Sequence, residues 1–175
     1  MAGKKDHARK GKALVIGRFQ PFHDGHFKAI KAIFKENGRL IIAIGSAQKS
    51  REISNPYTYA ERREMIRRCL MNAGLLKRTQ IVPLEDEHDH AKWVEKVGSI
   101  AGDATTLYSG NLLVRRLLKD RIMLRRMSSD VKISGTAIRR MMARHDNRWK
   151  EYVPREIRKY LVEKHLIDLS LSNKR

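Results

Sequence analysis

Short apolar runs without polar alternation punctuate this chain. Longer segments between them carry apolar residues at every third or fourth position. "ALVIG" (13–17) and "RLIIAIG" (39–45) are of the first kind, the pattern of strands buried on both faces. "QIVPL" (80–84), "TTLYSG" (105–110) and "RIMLRRM" (121–127) predict three more strands. Between the first two, Phe27, Ile30, Ile33 and Phe34 mark one stripe of a helix over 24–37, with Gly38 as its stop. "TYAE" (58–61) is a capping box: the Thr58 oxygen serves first-turn N–H groups and Glu61 reaches back. The helix it opens runs to Ala73 and ends at Gly74. Further helices are expected through Trp93 and Val97, over "NLLVRRLLKD" (111–120) and over "AIRRMMAR" (137–144). "VPREIRKYLVEKH" puts Pro154 at a first helical position and carries Ile157, Leu161 and Val162 inward.

Strand and helix in alternation predict an α/β fold, a doubly wound parallel sheet of about five strands with a small C-terminal helical segment. The chain divides into a flexible basic tail (1–12), one sheet domain (13–150) and a C-terminal helical segment (151–175) packed on the same domain. In such sheets ligands bind beyond the carboxyl ends of the strands, at the switch point. The loop leaving the first strand lies there, and it reads "GRFQPFHDGH" (17–26).

His23, His26 and Arg18 crowd that loop, and three chemistries are open to them: metal binding, acid–base work and phosphate binding. Zinc wants three or four ligands, and neither a cysteine cluster nor HExxH is present. The nearest supplement is "EDEHDH" (85–90), a pattern usual in solvated loops, so no dedicated metal site is expected. Phosphate suits the loop better. Gly17 and Gly25 let the main chain approach a ligand, the helix start offers free N–H groups, and Arg18 offers a planar fork. "ISGTAIRR" (133–140) supplies a second such element: Ser134 and Thr136 cap a helix and expose its N–H groups, and Arg139 sits one turn in.

Composition narrows the classes. The 175 residues suffice for one real core, and 41% hydrophobic content is that of a globular chain. The one cysteine, Cys69, excludes an intrachain disulfide and lies on an apolar stripe with Met65, Ile66, Leu70 and Ala73, so it reads as core. No apolar run approaches the ~20 residues of a membrane span, and the N-terminal residues have no apolar signal region, so a cytoplasmic protein is expected. The net charge of +19 attracts polyanions. Because the basic residues are spread along the chain and aromatics are only 6%, a phosphate-rich small ligand or solvated helix faces explain it better than nucleic acid.

Together "GRFQPFHDGH" and "ISGTAIRR" resemble the HxGH nucleotidylyltransferase superfamily, which has a Rossmann-like fold. "IGSAQKS" (44–50), "NPYTYAER" (55–62), "WV" (93–94) and "YSGNLLV" (108–114) extend the likeness to archaeal nicotinamide-nucleotide adenylyltransferases, from Ala13 to the C-terminal helix. The resemblance implies AMP transfer from ATP to nicotinamide mononucleotide (NMN), giving NAD and pyrophosphate. It implies that Arg18, His23, His26 and Arg139 hold the triphosphate, with His26 the key transition-state donor. Gly17, Phe19, Gln20, Ile133, Ser134 and Thr136 would complete the ATP site, with Gly110 and Asn111 near the adenosine. Trp93 would stack on the nicotinamide, with Ser46, Arg51, Asp86 and His90 around the acceptor. Mg²⁺ would arrive with ATP, and homo-oligomers, often hexamers, are implied. The departures lie mostly on the acceptor side: Arg51 follows Ser50 where relatives commonly have histidine, Ser54 stands where some have arginine, His90 where asparagine is usual, and Leu112 where "SGNP" has proline. Another phosphorylated acceptor (phosphopantetheine or FMN), or a basic nucleic-acid-binding protein on the same scaffold, are the competing readings.

Overall fold

The computed structural model describes residues 11–169. Five strands form one wholly parallel sheet: β1 (Lys12–Gly17), β2 (Arg39–Gly45), β3 (Thr79–Leu84), β4 (Thr106–Ser109) and β5 (Met123–Arg125). Their spatial order is β3-β2-β1-β4-β5. Among the described residues six α-helices connect and cover them: α1 (Asp24–Asn37), α2 (Tyr59–Asn72), α3 (His90–Ala101), α4 (Leu112–Leu118), α5 (Gly135–Ala143) and α6 (Arg155–Glu163). The order reverses between β1 and β4, which makes their carboxyl ends the switch point of a Rossmann-like sheet.

The uninterrupted apolar runs are explained by burial on both faces. Ala13, Val15, Leu40, Ile42 and Ile44 face a core shared with α1, α2, α5 and α6. Leu14, Ile16, Ile41 and Ala43 face a second core closed by Val97 of α3 and by Val114 and Leu118 of α4. Cys69 is fully buried in the first core, and burial pushes its thiol up to about 12, so it is inert packing. The C-terminal segment contributes to that core too: Val153, Ile157 and Leu161 are buried in it, and the Tyr57 hydroxyl donates to the Leu166 carbonyl at 3.3 Å.

Several expected elements shift. β1 begins at Lys12, which pairs with Arg39, so the strand takes in the end of the expected tail; residues 1–10 of that tail lie outside the described residues, as do 170–175. β5 is three residues long because the Arg121 and Ile122 N–H groups turn back to the Leu118 carbonyl and close α4. Pro154 is extended (φ −51°, ψ 147°) and caps α6 from outside instead of opening it. Val162 is 53% exposed: the inward stripe is Ile157, Tyr160 and Leu161, and Val162 lies about 100° round the helix from Leu161. Among the described residues no helix is long and apolar enough to cross a membrane.

Candidate active site

A cavity of about 1140 Å³ opens at the carboxyl ends of β1 and β4. Pockets for small-molecule ligands commonly measure roughly 300–1,000 Å³, so this one is large for its class. The structure brings to it Gly17, Arg18, Phe19, Gln20, His23 and His26 from the loop after β1 and the start of α1. Gly110 and Asn111 reach it from the end of β4, and Ile133, Ser134, Thr136 and Arg139 from the start of α5. Ser46, Asp86, His90 and Trp93 line its other end.

Arg51 is the exception. Its guanidinium donates to both oxygens of Glu61, at 3.0 and 2.5 Å, and to the Pro56 carbonyl at 3.0 Å. It lies outside the cavity lining, held to the first turn of α2.

The two histidines cap α1 reciprocally. His23 is the N-cap and its Nδ1 accepts the His26 N–H, while His26 Nδ1 accepts the His23 N–H, both at 3.4 Å. Their rings stack at 3.6 Å between centroids, and Phe22 (5.6 Å, stacked) and Phe19 (4.9 Å, edge-on) enclose His26 from other sides. A neutral imidazole that accepts at Nδ1 carries its proton at Nε2. Both rings therefore offer an N–H donor, not a metal-binding lone pair, on the side away from the cap. Burial keeps them neutral: it holds His23 down to about 4, and burial together with the neighbouring His23 holds His26 well below the usual histidine range. Among the described residues no group of three or more His, Cys, Asp or Glu could hold a metal ion. The donor set fits phosphate oxygens.

The low His23 value carries a stability prediction. Above pH 6.5 the group is neutral folded and unfolded; as pH falls toward about 4 only the unfolded chain takes up the proton, so stability is lost across that window. The shift corresponds to roughly 3 kcal/mol. His23→Asn keeps a good N-cap and removes the titration. Denaturant melts at pH 7.5 and 4.5 are expected to show a smaller acid loss for the variant, by about that amount; parallel losses would place the acid sensitivity elsewhere.

The start of α5 is fastened to the β1 loop. Arg139 donates to the Gln20 carbonyl at 2.7 Å, to the Ile53 carbonyl at 3.1 Å and to Thr136 Oγ1 at 3.2 Å. Gln20 in turn exchanges two hydrogen bonds with the Tyr57 main chain, at 2.9 and 3.0 Å. Burial and the nearby Arg18 charge lower Arg139 from its ordinary value. Ser134 Oγ accepts the Ala137 N–H at 3.2 Å, and Gly135 and Thr136, whose N–H groups have no partner within the helix, line the cavity.

At the other end, Ser46 Oγ donates to Asp86 Oδ1 at 3.0 Å and Lys49 pairs with Asp86 Oδ2 at 3.2 Å. Trp93 packs on the second core and also lines the cavity, so the packing and ligand-facing readings of this residue are compatible. Sequence reasoning passed over Gly135, the loop residues Ser128, Ser129 and Lys132, and Arg62 beneath the cavity. Arg62 had a legible signal: it falls on the apolar stripe of Met65, Ile66 and Cys69, at helical spacing, where a charged residue is out of place.

The cytidylyltransferase-like family profile matches residues 14–141. Nicotinamide-nucleotide adenylyltransferase from Pyrococcus horikoshii is 39% identical over 155 residues, covering 87% of this chain and 83% of that protein. The protein of the same name from Archaeoglobus fulgidus is 36% identical over 170 residues, 91% of this chain and 97% of that one. Among solved structures, a bifunctional NMN adenylyltransferase/ADP ribose pyrophosphatase from Francisella tularensis, complexed with AMP and a manganese ion, superposes with a TM-score of 0.67 at 21% identity. That match covers 90% of this chain and 53% of the bifunctional one.

Proposed function

Because the chain belongs to the cytidylyltransferase-like family and, within it, to the archaeal nicotinamide-nucleotide adenylyltransferases, we propose that it transfers AMP from ATP to NMN, releasing NAD and pyrophosphate. The observation that carries the proposal is the convergence, on one cavity, of two helix N-termini, two neutral Nε2–H imidazoles and two arginines.

In this reading Arg18, His23, His26 and Arg139 hold the triphosphate, with the main chain at Gly17 and Ser134 closing around it. An oxygen of the NMN 5′-phosphate forms the new bond to the α-phosphorus. The bond from that phosphorus to the α–β bridging oxygen breaks, and pyrophosphate leaves with the electron pair. A phosphate monoester has its second pKa near 6 and is largely a dianion at pH 7, so the attacking oxygen needs no base. Positioning and charge stabilisation are what remain for the protein to supply. His26 Nε2–H is the donor whose bond strengthens as charge builds on the phosphate oxygens. A divalent ion, Mg²⁺ in this proposal, would arrive bound to the triphosphate and would supply partial neutralisation of its charge. Trp93 stacks on the nicotinamide, and Ser46, Asp86 and His90 line the acceptor end. Arg51, held by Glu61, takes no part. A cytoplasmic homo-oligomer belongs to the same proposal.

The test is pyrophosphate release from ATP and Mg²⁺ with NMN, nicotinic acid mononucleotide, phosphopantetheine and FMN in turn, with NAD assayed directly. Release with NMN, accompanied by NAD, is expected. Release with phosphopantetheine or FMN alone would move the acceptor; none with any acceptor, from folded protein, would overturn the enzyme reading and favour a polyanion-binding role for the +19 charge.

A further inference from the structure

The Arg62 side chain is fully buried, among the largest in the molecule to be so. A buried guanidinium is costly and is ordinarily matched by a carboxylate. Here its hydrogen-bond partners are main-chain carbonyls: Thr58 at 3.2 Å, Arg18 at 2.9 Å, Gly45 at 2.8 Å and Ser46 at 3.0 Å. Burial and the Arg18 charge lower it to about 10, so it stays cationic at neutral pH.

The carbonyls it takes are not scattered. The β1–β2 ladder ends at the Gly17–Ile44 pair. One residue further on, a single nitrogen, Nη1, bridges the Arg18 and Gly45 carbonyls and continues the pairing that the main chain has abandoned. Just beyond, each strand turns through a non-glycine residue in the left-handed region, Phe19 at φ 53° and Ser46 at φ 49°. Such residues persist only where their surroundings over-determine them. Arg62 grips the carbonyl before Phe19, the carbonyl before Ser46, and that of Ser46 itself. The first of these turns carries Arg18 toward the nucleotide end of the cavity. The second aims Ser46 Oγ at Asp86 at the acceptor end.

We propose that Arg62 is a positioning residue that sets the separation between the nucleotide and acceptor halves of the site by clamping the two strand ends with one planar fork. The proposal rests on the adenylyltransferase reading. Its signature is a ligand that spans both halves. ATP and NMN each report on one half, whereas NAD occupies both and loses affinity when their spacing relaxes. Chemistry, which needs both halves in register, suffers with it, since a misplacement near 1 Å costs on the order of 10²-fold.

The experiment compares the unaltered protein with Arg62→Met and Arg62→Lys for ATP, NMN and NAD affinity, kcat and thermal melting. Arg62→Met is expected to weaken NAD binding by about tenfold or more and kcat by about 10–10²-fold. ATP and NMN, measured singly, should change less than about threefold. Arg62→Lys keeps the charge but not the fork, and the same pattern is expected of it. Full recovery of NAD affinity and kcat by lysine would overturn the clamp in favour of charge alone. Proportional weakening of all three ligands with a fallen melting temperature would reduce Arg62 to a core brace. If neither variant folds, the unaltered protein decides by NMR. Slowly exchanging, resolved Arg62 Nη protons in the NAD complex support the clamp, and one averaged, fast-exchanging signal overturns it. Absence of transfer to NMN by the unaltered protein would strike the functional reading separately; the same comparison then runs on whichever phosphorylated acceptor and dinucleotide product the protein does use.

Discussion

Replacing His26 with alanine is expected to lower kcat by about 10²–10³-fold, the loss typical of one donor aimed at developing charge. The prediction follows from the tautomer. Because Nδ1 is occupied by the His23 N–H, the ring's proton sits at Nε2, and the stacked His23 and Phe22 rings hold it there. Two further substitutions separate the donor from the cap. Asparagine at 26 can accept the His23 N–H through its short amide but does not reach into the cavity, so His26→Asn keeps the helix start and loses as much turnover as alanine. Glutamine is a natural third residue of a capping box, and its longer amide brings an N–H toward the Nε2 position. His26→Gln therefore recovers part of kcat. ATP affinity changes little across the series, because the interaction strengthens in the transition state and is weak before it. Rates near the unaltered value in His26→Ala would remove the residue from the mechanism. Equal losses in KM and no loss in kcat would make it a ground-state contact.

The second large effect is expected at Gly135, the first residue of α5. A Cβ built there lies 2.7 Å from the Gln20 carbonyl oxygen and 3.2 Å from its carbon. Neither can give way cheaply. The Gln20 side chain is bonded twice to the Tyr57 main chain, and its carbonyl is the landing point of Arg139. Gly135→Ala therefore pushes the start of α5 outward by roughly 0.5–1 Å, which takes its N–H groups and Arg139 away from the phosphates together. The expected result is a fall in kcat/KM for ATP of about 10–10²-fold, with a stability loss of about 1–3 kcal/mol. Gly98, inside α3, has nothing within 4 Å of its built Cβ. Gly98→Ala is the control: unchanged kinetics and a gain of about 0.5–1 kcal/mol in stability. A Gly135→Ala enzyme with ordinary ATP kinetics would show that α5 need not sit against Gln20.

The outline of the fold was legible because burial on both faces leaves a coarse mark. Runs such as "RLIIAIG", short, β-branched and bounded by glycine, suit a central parallel strand, and glycines at 38 and 74 stop helices by their left-handed geometry. Short edge elements left a weaker mark. β5 has one side to bury and three residues to do it with, so composition did not distinguish it from the turn that closes α4. In α6, three inward residues suffice, and a fourth apolar residue next to them says nothing about its direction. At the candidate site, the residues of the β1 loop and of the α5 start were readable as one cluster because their chemistry is local: a loop, a helix start, and the polar groups within one turn. The acceptor side was harder. Arg51 and Glu61 are ten positions apart, and only the fold of 46–57 makes them partners. Arg62 is the opposite case: its place on the apolar stripe is a local signal, but helical arginines usually reach solvent, and position alone does not reveal the four carbonyls that hold it.

The reciprocal cap at the start of α1 also constrains how this loop can change over generations. Each histidine satisfies the other's main chain, so losing one leaves its partner's N–H and ring without their arrangement. Damage at the second position then comes at little additional cost, and the two sites form one epistatic pair, not two independent ones. Single replacements are the steep step. A lineage that abandons the imidazole pair passes most readily through residues that keep the cap, asparagine at 23 or glutamine at 26, whereas alanine at either position loses the helix start as well.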